Sequence, residues 1–148
     1  MTDDVKGIHA GRATALVLIV DDETHNRALL EIMLSSDGYD LLTAASGEEA
    51  LAVVEEHRPD LILLDIMMPE MNGFEVTTVL KANPATQHIP IIILSALDDS
   101  GAIERGLQVG ADDFLTKPIH HIELRARIRK LLLAAHATPA APIAAEAE

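Results

Sequence analysis

The sequence predicts an α/β fold in which a parallel sheet is covered by helices on both faces. Five short stretches are rich in aliphatic residues, and Ala15–Val20, Leu61–Leu64 and Pro90–Leu94 lack the in-out alternation of a sheet with one wet face. Each stretch is followed by a segment with apolar residues at helical spacing, and the connections are short. The 148 residues amount to one domain, long enough to bury about two thirds of the surface of the unfolded chain.

Residues 1–14 are polar, contain Gly and show no periodicity, so a flexible N-terminal extension is expected there. The first strand, Ala15–Val20, ends in Asp21, Asp22 and Glu23. A helix over Thr24–Ser36 sets Leu29, Leu30, Met33 and Leu34 on one stripe, and Asp37-Gly38 stops it. Tyr39–Ala44 is a short second strand. Ser46 has the position of an N-cap with Glu49 at capping-box spacing, opening a helix that turns Ala50, Leu51, Val53 and Val54 inward and stops near Arg58-Pro59. The third strand carries Asp65 to its carboxyl end and breaks into Met67-Met68-Pro69 and Gly73. Phe74–Ala82 is the third helix, bounded by Asn83-Pro84. Pro90–Leu94 is the fourth strand, Ser95–Gly101 its loop, and Ala102–Val109 a short helix closed by Gly110. Asp112–Thr116 is the fifth strand, broken by Lys117-Pro118, and Ile119–Ala135 is a long last helix. His120 and His121 are adjacent and cannot share a helix face, so they read as its start rather than as a metal pair. Residues 136–148, rich in Ala, Pro and Glu, read as a linker or tail, leaving 15–135 as the folded domain.

Composition excludes several functions. Hydrophobic residues make up 49% of the chain but aromatics only 2%, so the core is aliphatic and there is little to stack on nucleic-acid bases. A net charge of −13 argues against a phosphate-backbone partner. The absence of Cys removes disulfides, thiolate zinc sites and cysteine nucleophiles. No apolar run approaches the ~20 residues of a membrane span, and the first residues lack a signal-peptide pattern, so a cytoplasmic location is expected.

The acids at strand ends carry the chemistry. Open α/β sheets bind ligands outside the carboxyl ends of their strands, and right-handed crossovers with helices on both faces make the winding reverse once. Were that reversal to fall between the first and third strands, Asp21 and Asp22 would stand beside Asp65. Two unit charges ~4 Å apart cost about 4 kcal/mol at an effective dielectric of 20, so three carboxylates need a cation. An oxygen-only site with open positions suits Mg²⁺, and no His or Cys stands at zinc-ligand spacing. Lys117, at the end of the fifth strand, brings a positive charge, and Ser95, at the end of the fourth, brings a hydroxyl. With Mg²⁺ and Lys117 the three carboxylates are balanced. A phosphoryl group on Asp65 would add about one negative charge, which Lys117 and Ser95 could detect.

On these residues the chain resembles the receiver domains of two-component response regulators. Asp21-Asp22, Asp65-Ile-Met-Met-Pro69 with Gly73, Ser95-Ala96 and Lys117-Pro118 stand in the family's order and spacing, and the likeness runs from about Ala15 to Ala135. The resemblance implies a flavodoxin-like, doubly wound sheet of five strands in the order 2-1-3-4-5 with five helices. It also implies that Asp65 accepts a phosphoryl group from a sensor histidine kinase or histidine phosphotransfer protein. Asp22, Asp65 and the Met67 carbonyl would then bind Mg²⁺, with Asp21 acting largely through water. Ser95 and Lys117 would contact the phosphoryl group, Phe114 would turn inward on activation, and the Lys117-Pro118 peptide would be cis. Such a protein is a switch and not an enzyme, although it catalyses its own phosphotransfer and a slow dephosphorylation. The Thr24–Ser36 helix would dock the kinase, and the surface of the fourth helix, fifth strand and fifth helix would control a downstream protein effector. Transcription-factor receivers form a homodimer on that surface through charged pairs, and Asp113, Glu123 and Arg127 resemble that set, whereas Ile103 stands where a basic residue is usual. The Met67 side chain is expected to shield the phosphoryl group from water. No DNA-binding or catalytic domain is expected within this chain.

Two other classes share part of this residue set. A phosphatase of the haloacid dehalogenase type also uses an Asp nucleophile and Mg²⁺, but it needs a second Asp two positions later, where Met67 stands. An interaction module that no longer signals would have no need of the full set of site residues.

Overall fold

The computed structural model of the chain describes residues 14–96 and 100–140. The expected extension over 1–13, positions 97–99 of the loop after Ser95, and residues 141–148 lie outside the described residues. Strands and helices alternate: β1 (Leu16–Val20), α1 (Thr24–Ser35), β2 (Asp40–Ala44), α2 (Gly47–His57), β3 (Leu61–Asp65), α3 (Gly73–Ala82), β4 (Ile91–Ser95), α4 (Ser100–Gln108), β5 (Asp113–Thr116) and α5 (His121–Ala140). All the strand pairs are parallel and the sheet order is β2-β1-β3-β4-β5, as expected.

The uninterrupted aliphatic runs are explained by two separate cores, one on each face of the sheet. Alternate residues Leu18, Val20, Ile62, Leu64, Ile91 and Ile93 face one side, packing with Val54 of α2, Val76 and Leu80 of α3 and Ala102 of α4. Val17, Ile19, Leu61, Leu63, Ile92 and Leu94 face the other, against Leu30 and Leu34 of α1 and Leu124, Ile128 and Leu132 of α5. Both faces are therefore dry, and every residue of β3 and β4 is buried. Fully burying one Leu or Ile contributes about 1.5–3 kcal/mol, so these two layers fix the strand ends firmly.

Helix starts and caps differ from the sequence reading in several places: α4 begins at Ser100 rather than Ala102, α5 at His121 rather than Ile119, and the caps of α2 and α3 are not as expected. Ser46 Oγ accepts the Glu49 N–H (3.1 Å), but the Glu49 carboxylate accepts from the Ala45 N–H (2.8 Å), one residue outside the expected box. The complete capping box lies on α3, where Asn72 accepts from the Glu75 N–H and Glu75 accepts from the Asn72 N–H, both at 2.9 Å. Gly73, read from sequence as loop, is the first residue of that helix. The helix α5 continues past Ala135 to Ala140. Among the described residues, no helix is long and apolar enough to cross a membrane.

Candidate functional site

The reversal of winding falls between β1 and β3, and register carries the candidate site residues to one edge. Val20 is aligned with Leu64, so the next positions, Asp21 and Asp65, stand side by side at the carboxyl edge of the sheet. Asp65 is aligned with Leu94, and Ser95 with Thr116, which brings the ends of β4 and β5 alongside.

Each loop at this edge is held by main-chain bonds. The Asp21 N–H donates to the Ala44 carbonyl (3.1 Å), and Asp21 Oδ1 accepts the Glu23 N–H (2.9 Å) in a turn closed by the side chain. After β3, the N–H groups of Met68 and Gly73 both donate to the Ile66 carbonyl at 3.0 Å. That closure presses Gly73 onto the strand end: a Cβ there would stand 2.6 Å from the Asp65 carbonyl oxygen and 3.0 Å from Ile66 Cα. No donor among the described residues meets the Met67 carbonyl, and the Met67 side chain is 61% exposed. The Lys117 N–H donates to the Ser95 carbonyl (2.7 Å), and the Lys117–Pro118 peptide is cis.

These elements bring Asp21, Asp22 and Asp65 together, with one carboxylate oxygen from each lying within 4.8 Å of the others. Asp21 and Asp65 are buried and Asp22 is exposed. Lys117 Nζ lies 2.7 Å from Asp65 Oδ1 and 3.4 Å from Asp21 Oδ2. Burial pushes the Asp65 carboxyl above the usual carboxylate range, and the charges of Asp21 and Asp22 add to this. The hydrogen bond and charge of Lys117 oppose it without cancelling it. Burial works against the Lys117 ammonium too, but its bonds to Asp65 and Asp21 outweigh it and hold the proton more firmly than in a free lysine. The cluster therefore carries three carboxylates against one nearby ammonium. Its oxygen-only donors, the exposed Asp22 carboxylate and the unmet Met67 carbonyl fit a hard divalent cation such as Mg²⁺.

Ser95 is fully buried and sits two residues beyond Ile93, the register partner of Phe114. Phe114 is half-buried on the α4 side of the sheet, and a Cβ at Gly106 of α4 would come within 3.3 Å of its ring. The serine and the aromatic ring thus occupy one face, one step apart along neighbouring strands. Arg127 pairs within its own chain, with Asp113 at 2.6 Å and Glu123 at 3.3 Å, and the bond to Asp113 raises the guanidinium pKa further.

Two residues of the site region gave no signal in the sequence. The Arg27 guanidinium of α1 donates to the Asp21 main-chain carbonyl (2.7 Å) and to Thr24 Oγ1 (3.3 Å). Arg105 of α4 lies over the Phe74 ring, 4.7 Å from its centroid, beside the Met67–Asn72 loop. Both contacts span separate elements or a whole loop, and residue spacing alone does not reveal them.

Comparison with known proteins agrees with this geometry. The family model described as the response regulator receiver domain matches residues 17–129. Response regulator PleD of Caulobacter vibrioides is 48% identical over 118 residues, covering 80% of this chain and 26% of that protein. The alkaline phosphatase synthesis transcriptional regulatory protein PhoP of Bacillus subtilis is 42% identical over 116 residues, covering 78% of this chain and 48% of that protein. The chain thus spans between a quarter and a half of these relatives. Among solved structures, the receiver domain of the Pseudomonas aeruginosa sensor histidine kinase PA1611, described with a magnesium ion coordinated in its active-site cleft, has a TM-score of 0.76 at 33% identity and covers 81% of this chain and 98% of its own. The Vibrio cholerae chemotaxis protein CheY4 has a TM-score of 0.76 at 34% identity, covering 80% of this chain and 99% of its own. By the family match, the relatives and the shared strand order, this chain belongs to the response regulator receiver domains of two-component signalling.

Proposed function

We propose that this receiver is a Mg²⁺-dependent switch in which Asp65 accepts a phosphoryl group from a histidine kinase or histidine phosphotransfer protein. The observation that carries the reading is the buried Asp65 carboxylate, grouped with Asp21 and Asp22 and bonded to Lys117 at 2.7 Å. One Asp65 oxygen attacks phosphorus. An O–P bond forms as the P–N bond to the donor histidine breaks, and the electron pair of that bond leaves with the imidazole. Asp22, Asp65 and the Met67 carbonyl would hold Mg²⁺ directly and Asp21 through water. When bound, the ion supplies the positive charge that lets an anionic phosphoryl group approach a carboxylate. Lys117 then exchanges its bond with Asp65 for one to the phosphoryl oxygens, and the Ser95 hydroxyl donates to another. Movement of Ser95 is relayed to Phe114, one step away on the same face, and so to the α4–β5–α5 surface.

Kinase docking is assigned to α1, where Leu29 (44%) and Ile32 (68%) are exposed and Leu29 lines a cleft of about 270 Å³ that also touches Asp21 and Lys117. The output is a protein effector that reads the α4–β5–α5 surface, or a second copy of the chain. A dimer on that surface would exchange the in-chain pairs of Arg127 with Asp113 and Glu123 for pairs between copies. Size measurement with and without beryllofluoride separates the two, since only the dimer changes mass.

The phosphoacceptor assignment is tested by incubating the chain with acetyl phosphate and Mg²⁺. A mass gain of one phosphoryl group, stable in acid and labile in base, is expected for the wild type and not for Asp65→Ala. A gain that survives that substitution would sink the assignment. The phosphorylated lifetime is a separate measurement. Met67→Asn is expected to shorten it about fivefold, because an amide in this exposed position can hold an attacking water through one hydrogen bond worth about 1 kcal/mol. An unchanged decay rate would show that the methionine does not shield the phosphoryl group.

A further inference from the structure

We infer that Arg27 is a positioning residue of the cation site, acting through the main-chain carbonyl of Asp21. The inference rests on the proposal that Asp21, Asp22 and Asp65 hold Mg²⁺. Asp21 is fixed on several sides: it is 1% exposed, its N–H is bonded to Ala44, one carboxylate oxygen takes the Glu23 N–H and the other faces Lys117. Asp22 has none of this support. It is exposed, and among the described residues no donor meets its carboxylate, so its direction is inherited from the main chain that carries it. The peptide bond entering Asp22 contains the Asp21 carbonyl, and the guanidinium of Arg27 donates to that oxygen at 2.7 Å. The guanidinium is itself steadied by a second contact to Thr24 Oγ1 (3.3 Å), and the main-chain N–H of Arg27 is anchored in the helix by its bond to the Glu23 carbonyl (3.1 Å). One side chain thus ties the first turns of α1 to the peptide plane that aims the exposed ligand.

A guanidinium this close to a cation site could act in the opposite direction. If Arg27 served only as a charge, it would repel Mg²⁺, and its removal would tighten binding. If it positions Asp22, its removal weakens binding. The sign of the change therefore decides between the two roles.

The test is calorimetric titration of the full chain with MgCl₂. Arg27→Ala is expected to raise the Mg²⁺ Kd about tenfold, in keeping with the loss of one charge-assisted hydrogen bond. Arg27→Lys keeps the charge but lacks the planar fork, so it should fall between wild type and Arg27→Ala. Arg27→Gln keeps the packed stem and is expected to weaken binding as Arg27→Ala does; it serves if the alanine variant does not fold by circular dichroism. A Kd within twofold of wild type, or a lower one, overturns the inference, as does an Arg27→Lys variant no better than Arg27→Gln. A wild-type chain that binds no Mg²⁺ overturns the cation site itself. A wild type that binds while Arg27→Ala matches it overturns only the role of Arg27.

Discussion

Gly73→Ala is expected to destabilise the protein by about 3 kcal/mol, at the upper end for overpacking, and to slow phosphorylation of the fraction that stays folded. The added methyl group would stand 2.6 Å from the Asp65 carbonyl oxygen and 3.0 Å from Ile66 Cα. Both are main-chain atoms of the strand end, and no flexible side chain is there to move aside. Relief requires α3 to back away from β3, which also breaks the bond from the Gly73 N–H to the Ile66 carbonyl (3.0 Å) and shifts the loop that presents Met67. Gly106→Ala is the control. Its methyl group would meet the Phe114 ring at 3.3 Å and Ile93 Cδ1 at 3.4 Å, both side-chain atoms that can give way. Inside a helix, alanine also gains about 1 kcal/mol over glycine. Urea unfolding should therefore separate the two variants clearly, with Gly106→Ala near wild type. A loss below about 1 kcal/mol for Gly73→Ala would mean that the helix start is softer than its contacts imply.

The fold was legible because each central strand is apolar on both sides. Val17 and Leu18 belong to different cores, and only a sheet covered twice can bury both. The acids at strand ends were legible one by one. Their convergence depends on the winding reversal between β1 and β3, and on this point the resemblance to the receiver family supplied the strand order. Details set by reach across space were not legible. Glu49 stands at capping-box spacing from Ser46, yet its carboxylate takes the Ala45 N–H, while Asn72 and Glu75 close the true box. Ile122 is apolar yet 77% exposed, because it lies on the face of α5 opposite Leu124 and Ile128, which are turned to the sheet. Arg27 looks in sequence like any solvated helix cation; only the close approach of its guanidinium to the Asp21 carbonyl sets it apart.

Lys117→Met is expected to destabilise the metal-free protein by about 3 kcal/mol and to be largely restored by millimolar Mg²⁺. The substitution keeps the aliphatic stem and removes the ammonium that lies 2.7 Å from Asp65 and 3.4 Å from Asp21, two carboxylates whose side chains are 6% and 2% exposed. Those carboxylates would then be buried without a cation of their own. Asp65 also gives the effect a pH signature. Its carboxyl is held above the usual range, so the folded state binds that proton more tightly than the unfolded chain. Stability in EDTA should therefore fall as pH rises from the ordinary aspartate range through the raised value. Lys117 is the influence that lowers the Asp65 pKa, so its loss should extend that decline to higher pH. The lysine's own contribution has the opposite placement: with its pKa raised, it is fully present at neutral pH and lost only above the ordinary lysine range. Chemical denaturation of both proteins across that range, in EDTA and in Mg²⁺, provides the check. Parallel pH curves, or a variant that Mg²⁺ does not rescue, would show that the ammonium is not what makes the carboxylate cluster tolerable in the resting state.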